Sequence, residues 1–221
     1  MIRWIPDVGN RPLRVLCIGA HSDDLEIGCG GMVLATLEDR AVDVTWVVVS
    51  AEGSRSDEAR KSAQSLLAGA CGSRIVVGDF RDCFFQAQYV ELKDFFEDLK
   101  RDTDPDVVLA HRLDDRHQDH RLVAELTWNT WRNHAVLEYE IPKYEGDLGA
   151  PNTYFPLSRE VAARKVAHLE RCFGSQRDKH WFDSETFMGL MRIRGLECRS
   201  PSGLAEAFYA RKVVISTGRG A

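Results

Sequence analysis

Short apolar runs rich in β-branched residues alternate with helical stretches along the first half of this chain, and that alternation limits the folds open to it. RVLCIGA (residues 14–20) reads as a buried strand, followed by a helical stretch over 25–39. VDVTWVVVSA (42–51) reads as a second strand. The next helix, 56–70, sets Ala59, Ala63, Leu66, Leu67 and Ala70 near a period of about 3.6 residues. A short third strand at 74–77 precedes a helix at 91–101 with Leu92, Phe95, Phe96 and Leu99 on one side. Pro105 then introduces a fourth strand, DVVLA (106–110), and a further helix starts near Asp119 with the stripe Leu122, Val123, Leu126 and Thr130. Strand and helix in strict alternation predict an α/β fold: a Rossmann-like, three-layer arrangement around a mostly parallel sheet.

Beyond Asn133 the pattern loosens. Pro142, Pro151 and Pro156, with Gly146 and Gly149, mark extended or looping chain. One more helix is expected at 159–172, a strand-like KVVI at 212–215, and frayed residues in the closing STGRGA. There is no internal repeat, so 1–221 reads as a single domain. Its core spans about 12–133, and 134–221 shapes the substrate pocket and the C-terminal part.

Composition narrows the partners. The formal net charge of -5 gives no general positive field for nucleic acid. The longest apolar stretch, 42–51, is interrupted by Asp43 and Thr45 and falls far short of the roughly 20 residues of a membrane span. The opening MIRWIPDVGNRPLR holds no apolar run long enough for a signal peptide, so the cytoplasm is the expected location. None of the six cysteines, Cys17, Cys29, Cys71, Cys83, Cys172 and Cys198, forms a C-x-x-C pair, which argues against a zinc ribbon and for reduced thiols. Oligomeric state, a homo-oligomer included, stays open at this stage.

Two segments hold the chemistry. AHSDDLEIGCGG (20–31) and HRLDDRHQDH (111–120) together contain four of the seven histidines, with Asp23, Asp24, Asp114, Asp115 and Asp119. Each follows a predicted strand at its carboxyl end, the edge where ligands bind in open α/β sheets. Imidazole with carboxylate suits a divalent transition metal such as zinc, and three protein ligands leave a position for water. Either Asp23 or Asp24 alone would also read as a helix N-cap. Three His and three Asp in ten residues are harder to dismiss, because unpaired polar groups near a core are costly. A dinucleotide site fails on charge: the loop reads G-A-H-S-D-D, and two carboxylates would repel a pyrophosphate. Gly28, Gly30 and Gly31, early in the first helix, are expected to allow close packing.

These residues resemble the PIG-L or LmbE-like N-deacetylases. Their first motif, A-H-P-D-D followed by an acidic residue and a glycine pair, stands here as Ala20-His21-Ser22-Asp23-Asp24, with Glu26 and Gly30-Gly31. Their second, H-P-D-H, stands as His117-Gln118-Asp119-His120. Both prolines are replaced, at Ser22 and Gln118, and neither proline supplies a ligand atom. The resemblance implies an LmbE-like fold and one Zn2+ per chain held by His21, Asp24 and His120. It implies Asp23 as general base, His117 as the group serving the oxyanion or leaving amine, and Asp119 as the partner orienting a histidine. The implied substrate is a small N-acylated, typically N-acetylated, amino sugar or a metabolite containing one.

Weaker echoes extend the resemblance. Arg55, in Arg55-Ser56-Asp57-Glu58, and Asp82 resemble substrate-contacting positions, while Ser50-Ala51-Glu52-Gly53 departs from the family's T-x-G. Arg194 and Glu206 lie in segments resembling the family's C-terminal part, where they close over substrate or form a structural ion pair with each other. His134, His168 and His180 read as ordinary. Two other classes compete: a two-metal phosphoesterase, with Asp114 and Asp115 serving the second ion, and a non-catalytic metal- or sugar-binding module.

Overall fold

A computed structural model describes residues 6–214 of the chain. Strands β1 (Leu13–Gly19), β2 (Val42–Val48), β3 (Gly72–Val77), β4 (Val107–His111) and β5 (Ala135–Tyr139) pair in parallel. Strands β6 (Thr153–Pro156) and β7 (Ala205–Ala210) complete the sheet, with β7 antiparallel to both β5 and β6. The order is β3-β2-β1-β4-β5-β7-β6. The expected three-layer, mostly parallel architecture is what the chain adopts.

Helices α1 (Asp24–Asp39), α2 (Ser54–Leu66), α5 (Arg159–Cys172) and α6 (Ser184–Glu197) lie over one face of the sheet, and α3 (Tyr89–Asp102) and α4 (Gln118–Thr130) over the other. The two-residue period of β1 shows why. Leu13, Val15 and Cys17 enter the first core, while Leu16, Ile18 and Ala20 enter the second. A strand buried on both faces is apolar along its buried part, which accounts for the runs that follow Arg14 in β1 and Thr45 in β2. Each buried Val, Leu, Ile or Phe stabilises the fold by about 1.5–3 kcal/mol.

Several boundaries differ from expectation. Helix α2 ends at Leu66, not at residue 70. The expected KVVI strand does not form over 212–214, where Val213 and Val214 are exposed, and Ile215 and STGRGA lie outside the described residues. The sheet instead gains β5, β6 and β7, and α6 precedes the last of these. Of the three glycines, Gly28 and Gly31 do permit close packing, against Tyr139 and against Leu157 and Glu206, whereas the nearest atom to a Cβ at Gly30 lies 3.7 Å away. No helix among the described residues is long and apolar enough to cross a membrane.

The connectivity creates the site. From β1 the chain proceeds outward through β2 and β3, then returns to place β4 on the other side of β1. The loops after β1 and β4 therefore leave neighbouring strands in opposite directions. A crevice at such a switch point is where open α/β sheets bind ligands.

Candidate metal centre and active site

His21 follows β1, and Asp24 opens α1 three residues later. His120 sits in the first turn of α4, which the loop after β4 delivers to the same place. His21 Nδ1 lies 3.2 Å from His120 Nε2 and 3.4 Å from Asp24 Oδ2, and His120 Nε2 lies 3.5 Å from Asp24 Oδ1. Metal–nitrogen bonds of about 2.0–2.1 Å and metal–oxygen bonds of about 2.0–2.2 Å, set tetrahedrally, separate donors by about 3.3–3.5 Å. These separations approach those of a tetrahedral site, with Asp24 meeting the two imidazoles through different oxygens. All three side chains are buried, and His120 also belongs to two further donor groups, with His21 and His117 and with Asp24 and His111, whose atoms lie within 4.8 Å of one another.

Carboxylates hold the outer nitrogen of each imidazole. Asp115 Oδ2 lies 3.1 Å from His120 Nδ1. Asp82 Oδ1 and Asp119 Oδ2 lie 3.0 and 3.3 Å from His21 Nε2. A carboxylate there makes the outer nitrogen the donor and turns the other nitrogen's lone pair inward. Asp119 Oδ2 also accepts the Cys83 N–H at 2.7 Å, which helps hold Cys83 at φ 67°, a strained backbone for a residue with a side chain.

Asp23 occupies the N-cap position of α1 yet caps nothing, because its side chain makes no bond to the helix. Its Oδ2 is buried without a hydrogen-bond partner among the described residues. Burial pushes its carboxyl up to about 6, and the charge of Asp24 acts in the same direction. Asp24 is committed elsewhere: its Oδ2 accepts the His21 N–H at 2.6 Å. His117 is the N-cap of α4 and is half-buried, its ring centroid 5.0 Å from that of His21 and 4.4 Å from that of His120. Burial, then the neighbouring His21 ring, holds its pKa below the usual imidazole value.

Arg55 and Asp82 meet at the edge of this group. Arg55 Nη1 donates to Asp82 Oδ2 at 3.0 Å, and Arg55 Nε to Ser22 Oγ at 3.4 Å. Asp82 is partly open to solvent and its carboxyl is held well below the usual range, chiefly by the bond with His21.

Arg194 takes the structural of its two readings, with partners other than the expected one. It donates to Glu140 at 2.7 and 2.9 Å, to Glu197 at 2.7 and 3.0 Å, and to the Gly149 carbonyl at 3.0 Å. Its side chain is 6% exposed, so no donor is left for a substrate. Nor does it pair with Glu206, whose partner is Lys165 at 2.6 Å. A buried cation requires full pairing, and Glu140 lies nearer to hand.

Two members of the cluster hold places that the sequence did not reveal. His111 ends β4, where Ala20 N–H donates to its Nε2 at 2.9 Å, and its ring stacks on that of His120 at 3.9 Å. Asp115 was weighed only for a second ion, yet it is committed to His120 and Lys143, while Asp114 is exposed and pairs with Arg211. A histidine ending a buried strand, and an acid two residues before His117, were the available signals.

Residues 16–131 match the family described as PIG-L, GlcNAc-PI de-N-acetylase. The chain belongs to the PIG-L family. An uncharacterized deacetylase, YaiS of Escherichia coli, is 30% identical over 174 residues, covering 73% of this chain and 91% of that protein. Among solved structures, this PIG-L chain is similar to the 4-carboxy-2-hydroxymuconate hydratase GalB of Pseudomonas putida: TM-score 0.72, 19% identity, 92% of this chain and 98% of that one. It is also similar to N,N'-diacetylchitobiose deacetylase of Pyrococcus horikoshii, with TM-score 0.63, 20% identity, and coverage of 88% of this chain and 82% of that one. At these identities the two structures speak for the fold alone. One is a hydratase and the other a deacetylase, so the reaction must be argued from the site.

Proposed function

We propose that this protein is a zinc-dependent hydrolase that removes an N-acyl group, most simply N-acetyl, from an amino sugar or an amino-sugar-containing metabolite. The observation behind the reading is the donor triangle of His21, Asp24 and His120, with an unpartnered carboxylate at the adjacent Asp23. The family's description as a de-N-acetylase supports the substrate class. Six free cysteines suit a reducing compartment, which supports the cytoplasm.

His21, Asp24 and His120 would hold one zinc ion per chain. When bound, zinc supplies Lewis acidity and lowers the pKa of water from about 16 to about 7. Asp23 then acts as general base: its carboxyl titrates near 6, so it is ionised at neutral pH and free to accept a proton. His117, held at the N-cap of α4, serves the developing oxyanion or the leaving amine. Asp119 orients His21. Arg55 and Asp82, at the solvent-facing edge, contact the hydroxyls of the sugar.

Acetate release from a panel of N-acetylglucosamine derivatives by the zinc-loaded protein tests this reading. Release from at least one member is expected, with Asp23→Ala slowing it by about 10²–10⁴-fold while retaining zinc. No release from any member, or full activity in Asp23→Ala, overturns it.

A further inference from the structure

The connection between β5 and β6 reaches back to the metal centre through one side chain. Lys143 Nζ donates to Asp115 Oδ2 at 3.0 Å, to Asp147 Oδ1 at 2.7 Å and to the Ile141 carbonyl at 3.4 Å. Its side chain is buried, as are those of both acids. Asp115 is divided among three partners: Oδ2 faces both Lys143 and His120 Nδ1, and Oδ1 accepts the His117 N–H at 2.8 Å. Asp147 is anchored independently, since its Oδ2 accepts the Arg116 N–H at 2.7 Å. Lys143 lies beyond residues 16–131, the span that matches the family.

We infer that Lys143 is a positioning residue, which fixes Asp115 against His120 and thereby sets how firmly His120 grips the metal. The inference rests on the proposed ligand set. Two buried carboxylates share one ammonium, which offsets their repulsion and holds Asp115 at the distance His120 needs. Without the ammonium, Asp115 loses a charge partner while the Asp147 carboxylate, also 3.7 Å from Arg112 Nη2, stays beside it, and Asp115 is driven from its place. His120 then loses the acceptor that fixes its tautomer and ring orientation. Asp147 anchors the loop but does not touch His120, so it separates positioning from a structural role.

Zinc affinity of the full-length protein, measured by competition with a chromophoric chelator, tests the inference, with thermal melts run in parallel. Lys143→Met and Asp115→Asn are expected to weaken zinc binding about 10–100-fold. Asp147→Asn is expected to stay close to wild type. The double variant Lys143→Met/Asp147→Asn, which removes the facing charge, is expected to regain part of the lost affinity. An affinity of Lys143→Met equal to wild type overturns the inference while leaving the ligand set standing. So does Asp147→Asn binding as weakly as Lys143→Met, the result of a purely structural role. Should Lys143→Met not fold, Lys143→Arg decides: near-wild-type affinity is expected, and a loss as large as that of Asp115→Asn overturns the proposal. A wild-type protein that binds no zinc removes the ligand set itself, and the inference falls with it.

Discussion

Gly28 of α1 lies against the ring of Tyr139, so close that a Cβ at that position would overlap the ring carbons. The Tyr139 hydroxyl donates to the Ile18 carbonyl of β1 at 2.8 Å, so the ring itself is fixed. This contact lets the first turns of α1, with Asp23 and Asp24, settle onto the sheet edge where His120 arrives.

Gly28→Ala is therefore expected to destabilise the protein by about 1–3 kcal/mol, the cost of overpacking, despite alanine's better helix propensity. The melting temperature should fall by roughly 2–4 °C per kcal/mol for a chain of this size. Gly30→Ala meets only ordinary contacts and should hold or raise stability by up to about 1 kcal/mol. Thermal melts of the two variants check the contrast, and equal effects would refute the packing argument.

Arg194 tests whether a buried arginine here serves stability or substrate. Arg194→Met leaves Glu140 buried without its partner, and a loss of about 3–5 kcal/mol in denaturant unfolding is expected. KM of the folded fraction should be unchanged. A raised KM at unchanged stability would return Arg194 to the substrate site.

His168 should give the protein a pH dependence of its own. Arg171 donates to its Nδ1 at 3.1 Å, so Nε2–H donates to Ser62 Oγ at 2.8 Å, and Ser62 donates onward to Glu26. A second ring proton would face the Arg171 guanidinium. Burial, then Arg171, lowers the imidazole pKa to about 4. The unfolded chain, with an ordinary value of about 6.5, takes up the proton first as pH falls. Stability from this residue is complete above about 6.5 and declines as pH drops toward about 4. Unfolding free energies measured across that window should show a flatter slope for His168→Gln than for wild type. Parallel slopes would mean that His168 is not held neutral by the fold.

The first half of the fold was legible because its central strands are mostly buried on both faces and so are written as apolar runs, broken only by Arg14 in β1 and by Asp43 and Thr45 in β2. The second half hides its burial behind charge. Glu138 in β5 is buried and meets Trp128 and Arg211, and Glu206 in β7 is buried against Lys165, so neither strand shows a clean apolar pattern. Helix α6 inverts the usual signal: Arg194 is buried while Ile193 and Leu196 face solvent. In the site, two His/Asp clusters stood out because each follows a strand end, and the resemblance to the PIG-L deacetylases picked His21, Asp24 and His120 out of them. His111 and Asp115 act through geometry that appears only when α4 folds back over β4. Lys143 lay in a proline- and glycine-rich stretch that offered no period to read.

Metal content decides the matter most directly. Elemental analysis of purified wild-type protein and His120→Ala, after exhaustive dialysis in limiting zinc, should find one zinc per chain in the first and a marked deficit in the second. Full occupancy in His120→Ala, or none in the wild type, would contradict the convergence of His21, Asp24 and His120 on a single ion.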